Sequence, residues 1–250
     1  MTISNEDELN QLKEIGRIVS LAMATMAESM EPGMTTKELD AIGADILDRE
    51  GAQSAPALTY CFPGATCISV NEEIAHGIPG DRKIQAGDLV NIDVSAEKNG
   101  YFADTGASFP VPPVRPDIAR LCADGRKALH QGIKAVRAGS RLSAIGVSVE
   151  KFATRKGYFL IRNLSSHGVG SALHEAPTEI ATWKDLSDRR RIERGMVFTI
   201  EPFLSLGGEW AVDAPPEADD PWTLYNEFGA PTVQYEHTLV ATDHGCIILT

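Results

Sequence analysis

Apolar residues recur every three or four positions in four stretches of the chain, which predicts four amphipathic helices. Ser4 or Asn5 can cap the first helix, and Thr35 with Glu38 forms a capping box in front of the second. Glycine or proline follows each stretch. We expect the helices over about residues 5–31, 35–50, 117–137 and 140–155.

A different pattern fills the segment between the second and third helices. Polar and apolar residues alternate from Leu89 to Ser95, as in a β-strand, and a second such run covers residues 101–109. Asn99-Gly100 between them favours a tight type I′ turn, in which both residues need positive φ. The pattern predicts an antiparallel hairpin in which Lys98 pairs with Tyr101.

This register brings two aspartates onto one face of the hairpin. Asp93 is expected opposite Gly106, and Asp104 opposite Ser95, so the two aspartates are diagonal neighbours with Cα atoms about 7–8 Å apart. A cation between them would offset their repulsion, and Gly106 leaves room for one. The alternative at this point is a solvated hairpin face with two ordinary aspartates.

The two halves of the chain repeat one another. The Gly87–Asp93 segment, a glycine followed six positions later by a carboxylate, recurs as Gly195–Glu201. Ala-Ile-Gly and His-x-x-Pro segments also recur at a spacing of about 100 residues. We predict an α/β fold with antiparallel sheet in one domain, 1–250, made of pseudo-repeats 1–112 and 113–250 about a pseudo-twofold axis.

In such a duplication the equivalent strands face a common cleft, which would gather four carboxylates from the two halves: Asp93, Asp104, Glu201 and Glu236. Buried together with a histidine, they need compensating positive charge, which two divalent ions supply. Oxygen-rich ligation with one imidazole suits Mn²⁺, Fe²⁺ or Co²⁺, with Zn²⁺ as an alternative. Two ions about 3.5–4 Å apart lower the pKa of a bridging water to about 7, which indicates hydrolysis. The candidate histidines are His76, His167 and His174.

Composition indicates which kinds of binding partner and which cellular compartment to expect. The net charge of −12 argues against nucleic acid and anionic membranes as partners. The four cysteines form no CxxC pair, which is typical of a reducing compartment. The chain has neither a leader pattern nor a run of about 18 apolar residues, so we expect a soluble, cytoplasmic protein.

Six motifs in order resemble the type I methionine aminopeptidases, in their short bacterial form. These motifs are HGIP at 76–79, NIDVS at 91–95, DTGASF at 104–109, SHGVGSALHEAP at 166–177, FTIEP at 198–202 and QYEHT at 234–238. The resemblance covers nearly the whole chain and implies the pseudo-symmetric "pita-bread" α/β fold. It also implies removal of the initiator methionine from nascent proteins whose second residue is small, by a hydroxide that two metal ions activate.

The resemblance implies a role for each matching residue. The dinuclear metal ligands would be Asp93, Asp104, His167, Glu201 and Glu236, with Asp104 and Glu236 bridging. Glu201 would also carry the proton of the bridging water. His174 would stabilise the oxyanion of the tetrahedral intermediate, and His76 would contact the scissile amide nitrogen.

The methionine side-chain pocket of the family corresponds here to Thr59, Phe62, Cys67, Leu173 and Trp222. Two residues depart from the family pattern: Leu173 replaces a phenylalanine, and Ser166 replaces the glycine before the metal-binding histidine. One methylene in an apolar pocket changes discrimination by only about 1–3 kcal/mol, so we expect altered tolerance and the same reaction. The family further implies action near the ribosome, and we expect a monomer.

Two rival functions remain open on the sequence. An Xaa-Pro aminopeptidase of the same fold uses similar ligands, but those enzymes usually carry an extra N-terminal domain, for which a helix starting near Ser4 leaves no space. A binding module that has lost its chemistry would be expected to lack a ligand, and all five are present.

Overall fold

The computed structural model describes all 250 residues and contains the four predicted helices together with a short fifth one. The helices are α1 (Glu6–Ser29), α2 (Thr36–Arg49), α3 (Ala55–Tyr60), α4 (Pro116–Lys134) and α5 (Ser143–Lys156). Asn5 caps α1, and Thr35 and Glu38 form the expected capping box. The sequence did not predict α3, because six residues are too few to display helical periodicity.

Fifteen short strands form the rest of the regular structure. They are β1 (Gln53–Ser54), β2 (Cys67–Val70), β3 (Glu73–Ala75), β4 (Leu89–Lys98), β5 (Tyr101–Pro110), β6 (Phe159–Leu160), β7 (Ser166–Gly168), β8 (Glu175–Ile180), β9 (Val197–Ile200), β10 (Phe203–Ser205), β11 (Ala211–Asp213), β12 (Leu224–Asn226), β13 (Thr232–Gln234), β14 (His237–Thr242) and β15 (Gly245–Ile248). All strand pairs are antiparallel, and a 3₁₀ turn covers Pro216–Ala218.

The central hairpin of β4 and β5 has the predicted register. Lys98 pairs with Tyr101 and Asp93 with Gly106, and Asp104 lies opposite Ser95. Asn99 and Gly100 at the turn have φ values of 56° and 81°, as a type I′ turn requires. The turn dipeptide and the alternating pattern thus fixed which side chains share a face.

Two helix pairs cover the sheets and bury two main cores. Helices α1 and α2 pack against each other, and α1 also packs on β4 and β5. Helices α4 and α5 pack together in the second half, and α4 contacts β5, β9, β10, β13 and β15. The first core contains Ile15, Val19, Leu39, Val90 and Val94, and the second contains Leu121, Leu129, Ile145, Phe198 and Leu239. This mixed α/β arrangement with antiparallel sheets confirms the predicted fold class.

A seam of hydroxyl groups joins β5 to the segment between β13 and β14. The Thr105 hydroxyl donates to the Glu236 carbonyl at 3.0 Å, and the Thr238 hydroxyl donates to the Asp104 carbonyl at 2.7 Å while accepting from the Asp104 N–H at 2.9 Å. The Glu236 N–H also donates to the Gly106 carbonyl at 2.8 Å. The first and second halves of the chain therefore meet along the strand that carries Asp104.

Residues 203–233 fold onto the first half of the chain. The hairpin of β11 and β12 in this segment pairs with β3, so the order in that sheet is β11-β12-β3. Strand β3 ends immediately before His76. The segment therefore forms one side of the cleft that contains His76. No helix in the structure has both the length and the apolar character that crossing a membrane requires.

Candidate metal centre

The five predicted metal ligands line a single cavity of about 360 Å³. Asp93 and Asp104 lie on the paired strands β4 and β5, and His167 lies in the middle of β7. Glu201 directly follows β9, and Glu236 directly precedes β14. The seam places Glu236 beside β5, and the five-stranded sheet β15-β14-β9-β7-β8 aligns His167 with Glu201.

Three of the five ligands form the tightest group. Donor atoms of Asp104, His167 and Glu236 all lie within 4.8 Å of one another. His167 Nε2 is 3.8 Å from Asp104 Oδ2 and 3.6 Å from Glu201 Oε1. Asp93 is linked to Glu236 through the side chain of Gln234, described below.

His167 has one ring nitrogen free for a cation. Its Nδ1 lies 3.1 Å from the Gly168 carbonyl oxygen, which assigns the proton to Nδ1 and leaves Nε2 as the acceptor facing the carboxylates. Burial, with a contribution from the nearby His174, lowers the pKa of His167 to about 3. The imidazole is therefore neutral at pH 7, as a metal ligand must be.

The carboxylates are electrostatically strained without a cation. Burial first, and then the charge of Asp93, raises the pKa of Glu201 to about 8. Burial and the neighbouring carboxylates raise the pKa of Asp104 and of Glu236 well above the ordinary range. Asp104 Oδ1 and Glu236 Oε1 are buried and have no hydrogen-bond partner. Unsatisfied carboxylate oxygens beside a neutral imidazole fit a divalent cation.

Gln234 is a member of this centre that the sequence analysis missed. Its Nε2 donates to Asp93 Oδ2 at 3.0 Å and to Glu236 Oε2 at 3.2 Å, and its Oε1 accepts from Asn91 Nδ2 at 3.0 Å. A Cβ on Gly106 would lie 2.8 Å from the Gln234 side-chain carbon Cδ. The expectation that Gly106 leaves room for a cation was thus wrong, because the Gln234 amide fills that space. The sequence did contain a signal for Gln234: it lies two residues before Glu236 on an extended segment, so the two side chains share a face.

The two other predicted histidines also line the cavity. His76 follows β3 with a φ of 56°, an uncommon backbone conformation for a side chain of this size. His174 precedes β8, and its ring centroid is 4.0 Å from that of His167. Loss of solvation in the cleft lowers the pKa of both His76 and His174. Both can therefore be neutral hydrogen-bond donors at neutral pH.

Apolar side chains form part of the cavity wall. Of the residues expected to form a side-chain pocket, Phe62, Cys67, Leu173 and Trp222 line it. The Phe62 and Trp222 rings meet edge to face with centroids 5.4 Å apart. Thr59 is exposed on α3 and is not among the lining residues. Its neighbour Tyr60, which the sequence analysis did not single out, lines the cavity instead.

The remaining histidines lie outside the cavity, as expected. His237 points away from Glu236 and shares a hydrogen bond of 3.0 Å with Thr250 Oγ1. His130 and His244 are exposed. All four cysteines are free thiols.

Comparison with known proteins places this geometry in a family. The model of metallopeptidase family M24 matches residues 10–243. Methionine aminopeptidase 2 of Bacillus subtilis (strain 168) is 45% identical over 251 residues, which cover 100% of this chain and 99% of that protein.

Solved structures agree with this similarity. The crystal structure of methionine aminopeptidase from Rickettsia prowazekii superposes with a TM-score of 0.94 at 29% identity, covering 100% of both chains. A prolidase from Pyrococcus furiosus has a TM-score of 0.77 at 22% identity, covering 100% of this chain and 65% of that one, and shares the fold. The match of the family model and the full-length relative together show that the chain belongs to metallopeptidase family M24, in its methionine aminopeptidase branch.

Proposed function

We propose that the protein removes the N-terminal methionine from polypeptides whose second residue is small. The observation that carries this proposal is the convergence of four carboxylates and a neutral imidazole in a cavity that apolar side chains also line, in a chain related over its full length to methionine aminopeptidases. A metal centre beside apolar walls suits an exopeptidase that removes an apolar N-terminal residue.

The five convergent residues, Asp93, Asp104, His167, Glu201 and Glu236, would hold two divalent cations, Mn²⁺, Fe²⁺ or Co²⁺ in preference to Zn²⁺. Asp104 and Glu236 would bridge the pair, which the unpartnered buried oxygen of each carboxylate supports. When bound, the cations would polarise the scissile carbonyl and lower the pKa of the attacking water.

Glu201 would accept the proton of the attacking water and pass it to the departing amine. Its Oε1 accepts from the Thr199 hydroxyl at 3.1 Å, which orients the carboxylate. The Glu201 backbone N–H donates to Ser166 Oγ at 2.9 Å, which fixes the backbone from which the carboxylate projects.

The two cleft histidines would act on the peptide itself. His174 would donate to the carbonyl oxygen as negative charge develops there, and His76 would contact the scissile amide nitrogen. Both lie in the cavity with a ring nitrogen available, which supports these assignments.

The apolar part of the cavity would bind the methionine side chain. Phe62, Cys67, Leu173 and Trp222 would form its walls, with Thr59 near the rim on α3. Binding of the free α-amine beside the carboxylates would restrict cleavage to chain termini. We further propose action in the cytoplasm, near the ribosome, as a monomeric single domain of two pseudo-repeats; the four free thiols support a reducing compartment.

The test is release of free amino acid from Met-Ala-Ser, Leu-Ala-Ser and Ala-Pro peptides by metal-stripped protein, before and after addition of Mn²⁺, Co²⁺ or Fe²⁺. We expect methionine release that depends on metal. His167→Gln removes one candidate ligand and should abolish metal-dependent release, while His130→Gln, at an exposed histidine, is the matched control and should retain it. Cleavage of Ala-Pro alone would assign the protein to the proline-specific enzymes, and inactivity on all peptides with every metal would contradict the proposal.

A further inference from the structure

Tyr60 and His174, which both line the cavity, are joined by a hydrogen bond. The Tyr60 hydroxyl oxygen lies 2.7 Å from His174 Nδ1, and the two ring centroids are 5.6 Å apart. The His167 ring packs against His174 at 4.0 Å between centroids. The His174 imidazole is thus held by the hydrogen bond at Nδ1 and by packing against the His167 ring.

Although the Tyr60 side chain is exposed, its backbone is anchored at both ends of α3. Ser54 caps the helix, and its hydroxyl donates to the Ala65 carbonyl at 2.7 Å. Cys61 adopts a left-handed conformation with φ of 57°, and the Phe62 N–H donates to the Pro56 carbonyl at 3.3 Å. The chain therefore reverses direction directly after Tyr60 and turns Phe62 inward. This geometry fixes the side from which the Tyr60 hydroxyl approaches His174.

The chemistry of the pair fixes the direction of the hydrogen bond. A phenol is protonated at neutral pH, and partial burial raises the pKa of Tyr60 further. The neutral imidazole carries one proton, so a phenol that donates to Nδ1 leaves that proton on Nε2. Nε2 is then the donor that remains for a ligand in the cavity.

We propose that Tyr60 is a positioning residue, whose hydroxyl holds His174 in the Nε2–H tautomer with its donor directed at the reacting carbonyl oxygen. The inference rests on the proposed function for the role of His174, and it adds a residue to that role. Without the hydroxyl, the imidazole would sample the other tautomer and other ring orientations. A donor placed in advance stabilises developing charge best, so its loss would affect the transition state more than substrate binding.

The first test is steady-state kinetics of Tyr60→Phe on Met-Ala-Ser with saturating metal. We expect kcat to fall roughly tenfold, the upper range for one net hydrogen bond, with KM changed less than about twofold. Tyr158→Phe is the matched control, because its hydroxyl donates to Asp124 at 3.2 Å outside the cavity, and it should retain kcat. A raised KM with unchanged kcat would make Tyr60 a substrate contact and overturn the proposal.

The second test is a double-mutant cycle with His174→Gln. If Tyr60 acts through His174, adding Tyr60→Phe to His174→Gln changes kcat by less than about twofold, because the partner is already absent. Additive losses would show that Tyr60 acts independently, against the proposal.

The third test reads the tautomer directly and needs no turnover. Nitrogen-15 NMR of the histidine rings in zinc-loaded protein, with the His174 signals identified by their absence in His174→Gln, should show a protonated Nε2 and an unprotonated Nδ1. In Tyr60→Phe this pattern should become a mixture. An unchanged pattern contradicts the inference. Inactivity of the wild-type protein on every peptide would instead contradict the proposed function and leave the NMR result standing.

Discussion

The backbone N–H of Glu236 donates to the carbonyl of Gly106 at 2.8 Å. This bond places the Glu236 carboxylate, from the second half of the chain, beside β5, the strand that contains Asp104. Glu236 and Asp104 are 132 positions apart in the chain, yet both have buried oxygens without partners in the same cavity. The candidate metal centre therefore depends on the contacts that join the two halves along β5.

Replacement of Gln234 by methionine should weaken metal binding. The amide of Gln234 donates to both Asp93 and Glu236, and loss of such supporting hydrogen bonds typically reduces metal affinity about 10–100-fold. The measurement is isothermal titration calorimetry of metal-stripped protein with Mn²⁺. The exposed Gln85 provides the control, since Gln85→Met touches no carboxylate of the centre. Equal affinity in Gln234→Met and wild type would remove Gln234 from the centre.

Alanine at Gly106 should disturb the same amide from the opposite side. The added Cβ would lie 2.8 Å from Gln234 Cδ, closer than real carbon contacts, so Gln234 must move away from Asp93. We expect Mn²⁺ affinity to fall at least about tenfold. In Gly80→Ala the nearest atom to the new Cβ is 3.9 Å away, and binding should not change. The measurement is isothermal titration calorimetry of both metal-stripped variants with Mn²⁺. Equal Mn²⁺ affinity in the two variants would contradict the prediction.

Replacement of Thr238 by valine should destabilise the seam between the halves. Its hydroxyl serves the N–H and the carbonyl of Asp104, and both groups would remain buried without a partner. Each unsatisfied group costs about 1–3 kcal/mol, so we expect the free energy of unfolding to fall by about 2–6 kcal/mol for the two groups. Urea denaturation measures it. Thr242→Val, which loses only a hydrogen bond to His244 in an exposed turn, should lose less than about 1 kcal/mol.

Metal-stripped protein should lose stability as pH rises. Burial raises the pKa of Glu201 from 4.5 to about 8, so between these values the folded protein retains a proton that the unfolded chain has released. Stability falls with pH wherever the folded state binds more protons. The raised pKa values of Asp104 and Glu236 act in the same direction as that of Glu201, and the lowered pKa values of His76, His167 and His174 act in the opposite direction. We expect the buried carboxylates to dominate, so that the melting temperature of stripped protein is lower at pH 8 than at pH 6.

Bound cations should reverse this dependence, because they favour the ionised carboxylates and bind less well once these are protonated. Scanning calorimetry of the stripped and Mn²⁺-loaded protein at the two pH values is the measurement. A stripped protein that is more stable at pH 8 than at pH 6 would contradict the electrostatic description of the centre.

Local sequence patterns predicted much of the fold. The capping box at Thr35 and Glu38, and the Asn99-Gly100 turn, are signals carried by adjacent residues, and each has the predicted form. The third helix ends at Lys134 and the fourth begins at Ser143, within a turn of the expected bounds. Helix ends vary in this way because the last turn lacks full hydrogen bonding.

Parts of the site were less accessible to prediction. Gln234 was missed because its function depends on a partner strand 141 residues away in sequence, at Asp93. Tyr60 was missed because α3 is too short to give a periodic signal, and because its partner His174 lies 114 residues away in sequence. The space at Gly106 was assigned to a cation for the same reason: the hairpin alone does not reveal which side chain fills it.

The sequence by itself determined the four long helices, the register of the central hairpin and the fold class, and it predicted the candidate metal ligands, since these follow from local periodicity, turn chemistry and repeated motifs. Only the tertiary structure decided which atoms meet: that hydroxyl groups join Asp104 to the second half, that Gln234 links Asp93 to Glu236, and that Tyr60 reaches His174. The physical reason is that contacts between distant segments depend on how the two halves pack, and packing depends on every buried side chain together.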